Sequence, residues 1–98
     1  MDTQNIPKLT TIKTGDSFKV HEVTGRTGMT MPLHYSTKEA VVIIQEGSAQ
    51  LKIGEIKHIL QEGSTFIIPA HQNHTLSVKA KFKALVIMSQ DSNIEFVQ

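Results

Sequence analysis

Apolar positions along this chain recur mostly with period two, in short runs that end at glycine, proline or asparagine, and no stretch carries the 3.6-residue period of an amphipathic helix. The pattern predicts strands. From Asp16 to Val23, Phe18 and Val20 fall on one face with Lys19 and His21 on the other, and Gly25 and Gly28 break the run before a second strand, Met29 to Leu33. Ala40 to Gln45 is rich in β-branched residues and apolar on both faces, which predicts a central strand covered on both sides. Leu51 to Ile53 and Ile56 to His58 flank Gly54-Glu55, and a glycine-first connection of two residues suits a type II′ hairpin. Thr65 to Ile68, His74 to Lys79 and Phe82 to Met88 supply further strands, and Ile94 to Val97 a short closing piece. The tetrapeptide Gln-Glu-Gly-Ser stands at 45–48 and again at 61–64, each time after an apolar strand, and reads as one turn used twice. Lys79, Lys81 and Lys83 alternate in a way that predicts a solvated edge protected by lysine against pairing with another chain. Eight or nine short strands with regularly spaced turns predict an all-β sandwich or barrel, for which a jelly roll is one standard closure.

Composition narrows the class. Ninety-eight residues, 39% hydrophobic and 19% charged, fit one domain over 1–98 with a barrel core at about 16–90. Ten basic and nine acidic residues are scattered to a net charge of +1, which offers no stripe for a phosphate backbone and argues against a nucleic-acid partner. The amino terminus Met1-Asp2-Thr3-Gln4-Asn5 is polar, and the longest aliphatic run, Ala40 to Ile44, is far too short to span a bilayer. A soluble, cytoplasmic protein with no membrane partner is expected. Lacking cysteine, the chain has no disulfide, thiolate zinc site or cysteine nucleophile. No G-x-S-x-G turn, phosphate-cradling glycine loop or paired-carboxylate arrangement is present, and the acidic residues fall mostly in turns and outer positions.

Two stretches carry a resemblance. Gly28-Met29-Thr30-Met31-Pro32-Leu33-His34-Tyr35-Ser36, continuing to Gln45-Glu46-Gly47, resembles the first cupin motif: a glycine, then His-x-His, a glutamate and a closing glycine. Gly63-Ser64-Thr65-Phe66-Ile67-Ile68-Pro69-Ala70-His71-Gln72-Asn73-His74 resembles the second, with its glycine, proline and histidine. The motif regions run over 28–47 and 63–78, and the resemblance implies a double-stranded β-helix, the jelly-roll barrel of the cupins. In that family the two histidines and glutamate of the first motif and the histidine of the second usually hold one divalent metal. Here those places read His34, Ser36, Ala40 and His74, and the glycine of the second motif reads His71. Glu39 adjoins the vacant glutamate place, but one residue along a strand reverses the face.

On this resemblance His34, Ser36, Ala40 and His74 line a pocket inside the barrel. Two imidazoles and water can hold zinc, nickel, iron, manganese or copper, and His71 is a candidate third nitrogen ligand beside His34 and His74. Durable sites normally rest on three or four protein ligands, however. Neutral imidazole also offers one donor and one acceptor to an anionic or polar small molecule. His21 and His58 read as solvent-side residues, Met29, Met31 and Met88 as core filler, and Tyr35 as pocket rim or subunit contact. The expected function is a small-molecule-binding cupin of sensor or accessory type, paired as a homodimer. The alternative is a metal-dependent cupin enzyme, a dioxygenase, isomerase or sugar-modifying protein, using His34 and His74.

Overall fold

Each run of alternating residues becomes a strand in the computed structural model of the protein, which describes residues 5–97. The strands are β1 (Lys8–Thr14), β2 (Phe18–Gly25), β3 (Thr30–Ser36), β4 (Ala40–Ile53), β5 (Ile56–Gln61), β6 (Thr65–Ile68), β7 (His74–Ser89) and β8 (Ile94–Phe96). All pair antiparallel. Two of them are long. β4 runs 14 residues, pairing with β6 through its first half and β5 through its second. β7 runs 16 residues, pairing with β3 at its start and β2 at its end, with β4 alongside throughout. The sheet therefore curls into two leaves, β1-β2-β7-β4-β6 and β8-β3-β7-β4-β5, joined by the two long strands. This is the jelly-roll barrel.

Between the leaves lies the core, where Ala40, Val42, Ile44, Ala84 and Met88 of one leaf face Ala49, Leu51, Leu60 and Val78 of the other, with Phe82 at the bend. Met31 and Met88 are buried and Met29 packs against the cluster, as core filler should. The hairpin is the expected one: Ile53 pairs with Ile56 around Gly54, whose φ is 58°, and Glu55 keeps a negative φ, as a type II′ turn requires.

Three expectations are corrected, and one strand is added to those the pattern predicts: β1, at Lys8–Thr14. Its sequence, Lys-Leu-Thr-Thr-Ile-Lys-Thr, has every residue exposed, so no buried row marks it out. The first Gln-Glu-Gly-Ser is no turn: it is a bulged bend within β4, whereas Glu62-Gly63 of the second does reverse the chain. The two copies meet, the Glu62 amide donating to the Gly47 carbonyl at 3.0 Å and the Gly63 amide to Ile44 at 2.9 Å. His74–Lys79 and Phe82–Met88 are one strand, because β7 bends at Lys81 beside Gly47 without leaving its partners. Consequently Lys79, Lys81 and Lys83 guard no edge. They lie within the central strand, with Lys83 3.8 Å from Glu22.

Face assignment in β2 also reverses. Lys19, His21 and Val23 point inward, with His21 and Val23 buried, while Phe18 is 62% exposed. The reason is that the outer face of this leaf is itself apolar: Val20, Ile87, Val41 and Ile67 stand in one cross-strand row, none packed against the core. A hydrophobic row here marks the outside. His58 likewise shares the inner register of β5 with Leu60, its ring 4.8 Å from that of Phe66.

Candidate functional site

β3 and β7 place His34 directly opposite His74 as cross-strand partners. Their rings meet edge to face, with centroids 4.1 Å apart and planes at 62°. Both are buried, as is Ser36 two residues along β3 on the same face. Ala40, at the start of β4, is buried too, and Glu39, just before the strand, is exposed and outside the cavity lining. All four expected residues line one cavity of about 250 Å³. The rest of its wall is apolar, including Met31, Val42, Leu51, Phe82 and Val86, and no other titratable residue faces it among the described residues. Leu9 and Phe96, both substantially exposed, stand at its mouth, and the Phe96 ring lies 5.4 Å from His34. Sequence reasoning missed this rim, because β1 has no buried face and Phe96 enters the site only through the pairing of β8 with β3.

Hydrogen bonds set the protonation pattern of the pair. His34 Nδ1 lies 2.6 Å from the carbonyl of Pro32, and His74 Nδ1 lies 2.8 Å from that of Gln72. A carbonyl has no proton to give, so each Nδ1 carries the hydrogen and donates it. In the neutral ring Nε2 is then a bare acceptor. Burial pushes both imidazoles below the usual histidine pKa of 6.5, against the opposing pull of the carbonyl bonds, and the neighbouring His74 lowers His34 further. His21, whose Nδ1 lies 2.9 Å from the Thr11 hydroxyl, is lowered by burial and by Lys19.

A pH effect on stability follows. Above 6.5 these rings are neutral in both folded and unfolded chains; as the pH falls through 6.5 the unfolded chain takes up protons that the folded one resists, and stability drops until the folded pKa values are passed. Asp91, held down to about 2 by hydrogen bonds from Lys38 and Ser89, titrates far below this window. Urea unfolding at pH values from 8 to 5 should show the decline, and a His34→Leu/His74→Leu double variant should keep only the part due to His21. An unchanged slope in that variant would refute the assignment.

His71 does not join the pair. It is exposed in the turn before β7, with a φ of 61°, so the backbone there takes the left-handed conformation for which the glycine of the motif is suited. Its amide donates to the Ser36 carbonyl at 2.8 Å, and its ring lies 5.8 Å from Tyr35, which alternates away from His34. The candidate third nitrogen ligand is thus corrected to an outer turn residue. No group of three or more metal-ligating side chains converges among the described residues. With alanine in the carboxylate place and a neutral hydroxyl at Ser36, the donor set does not fit a resident divalent ion, since two imidazoles supply only half of what a stable site holds.

A curled jelly roll with paired motif histidines opening on its interior defines a cupin-type barrel. Residues 20–89 match the cupin domain family Cupin_2, and the chain belongs to it. None of the curated proteins matches. Among solved structures, a cupin superfamily protein from Desulfitobacterium hafniense DCB-2 superposes with a TM-score of 0.79 at 20% identity, over 93% of this chain and 84% of that one. A cupin-2 domain protein from Shewanella frigidimarina NCIMB 400 gives 0.74 at 20% identity, over 84% and 79%. The polyketide cyclase RemF from Streptomyces resistomycificus gives 0.73 at 20% identity, over 86% and 63%. At these identities the likeness is one of fold. No helix among the described residues is long and apolar enough to cross a membrane.

Proposed function

We propose that this chain is a small-molecule-binding cupin of sensor or accessory type. One observation carries the reading: an apolar cavity of about 250 Å³ inside the barrel ends on two imidazoles and a hydroxyl, with no third metal-ligating side chain beside them among the described residues. A cavity of ~150 Å³ already admits benzene when its walls are apolar, so this space suits a ring system with substituents. Among the described residues that line the cavity none is a nucleophile held by its own base and an orienting acid, and the reading rests on binding. The alternative, a metal-dependent enzyme built on the paired histidines, requires an ion held at near one equivalent per chain, for which two imidazoles supply only half the usual ligands.

Ligand-observed NMR with a library of one- and two-ring fragments tests the first reading, together with elemental analysis of protein purified without a chelating column. Val86 lines the cavity, and Val86→Phe fills part of it. Fragments should bind the wild type at micromolar to millimolar affinity and lose at least about tenfold in the variant, because the added ring displaces them. Equal binding by both proteins would sink the cavity as the site. Near-stoichiometric metal that His34→Leu or His74→Leu removes would turn the conclusion to the enzyme.

A further inference from the structure

The polar floor of the cavity is specific in kind. Each imidazole spends its only N–H on a backbone carbonyl, His34 on Pro32 and His74 on Gln72. Neither Nε2 has a protein partner among the described residues. Yet no buried side-chain nitrogen or oxygen there is left without one, so each Nε2 is open to the cavity space. Two acceptors on adjacent rings therefore face an apolar wall, and the Ser36 hydroxyl on the same face is the only side-chain donor beside them among the described residues. No lysine or arginine lines the cavity.

Such a floor discriminates by proton inventory. A carboxylate or phosphate brings only acceptors and would set negative oxygen against two lone pairs in a poorly solvated place. A purely apolar guest would leave both Nε2 atoms stripped of water and unpaired. A hydroxyl fits better, since it gives its single proton to one of the two Nε2 atoms and its oxygen can accept from Ser36. Resting on the binding reading above, we propose that the pocket takes a neutral, largely apolar molecule of one or two rings bearing a hydroxyl, of the phenol or cyclic-alcohol class, and discriminates against anions.

Three compounds of matched shape test this: 2-naphthol, 2-methoxynaphthalene and 2-naphthoate, titrated calorimetrically at pH 8 into the wild-type chain. 2-Naphthol should bind best. The methyl ether, which cannot donate, should bind about tenfold or more weakly, the cost of leaving buried acceptors unpaired. The carboxylate should bind weakest of all. With ¹⁵N-histidine labelling, the Nε2 resonance of His34 or of His74 should shift toward hydrogen-bonded values with 2-naphthol, and neither should with the ether. In the His34→Leu/His74→Leu double variant the preference for naphthol over ether should narrow. Equal affinity for naphthol and ether, or tightest binding of the naphthoate, overturns the ligand class while leaving the pocket as a binding site. Failure of all three compounds to bind wild type removes the pocket reading and this inference with it.

Discussion

Replacing Gly47 by alanine is expected to cost the fold about 3 kcal/mol or more, a large share of the ~5–15 kcal/mol that holds a domain of this size together. Gly47 has a φ of 72°, where an L-residue pays about 1–2 kcal/mol. Far more serious is the space: a Cβ built there would stand 1.8 Å from the Lys81 carbonyl oxygen and 2.7 Å from that of Ala80. Those atoms are backbone of the central strand, so relief requires prying β4 from β7 where both bend between leaves, at the expense of the Glu62–Gly47 hydrogen bond. Gly54→Ala and Gly63→Ala are the matched controls, because φ is 58° and 87° there but nothing lies within 4 Å of the added carbon. They should lose only about 1 kcal/mol each. Chemical denaturation of the three variants compares them directly. If Gly47→Ala unfolds no more easily than the controls, the close crossing of β4 and β7 is not a constraint on the fold.

Restoring the family's ligand pattern with Ser36→His and Ala40→Glu should convert a pocket without a complete metal set into a metal site. Both residues are buried on the cavity wall beside the imidazole pair, Ala40 at 1% exposure. In the metal-free double variant an unpaired carboxylate at 40 is costly, on the order of 3 kcal/mol, and Tm should fall by about 10 °C or more. Zinc or nickel should then recover stability, by about 2.7 kcal/mol at a free concentration one hundred times Kd, while leaving the wild-type Tm nearly unmoved. Thermal melts with and without metal, paired with elemental analysis, measure both effects. A variant that gains no more from zinc than the wild type would show that positions 36 and 40 do not converge on His34 and His74.

Much of this molecule is legible residue by residue. Period-two alternation and the punctuating glycines determine an all-β chain, and Gly54-Glu55 determines its tightest hairpin, because turn geometry is a local property of two residues. The resemblance of the Gly28, His34, Gly47, Gly63, Pro69 and His74 spacing to the cupin motifs implies the pocket-lining set, and strand parity puts Ser36 with His34 and sets Glu39 against Ala40. What alternation does not reveal is which face is inside when both are apolar. His21 reads as solvent-side by pattern, yet His21 and Val23 hold the inner side because a second leaf lies over them. Nor does it separate a bend from a turn: the two Gln-Glu-Gly-Ser segments are identical, yet one continues a strand because β7 runs beside it and the other, lacking such a partner, reverses.

The same division holds for chemistry. Sequence alone determined that two motif histidines remain and that the carboxylate place holds alanine, since residue identity at a strand position is all that ligand count requires. Only tertiary structure decided that His71 turns outward toward Tyr35, that Leu9 and Phe96 form the rim, and that both Nδ1 atoms are spent on carbonyls. Those are distances between atoms brought together by the closing of the barrel, and a linear pattern, which encodes faces and turns, does not encode which faces meet.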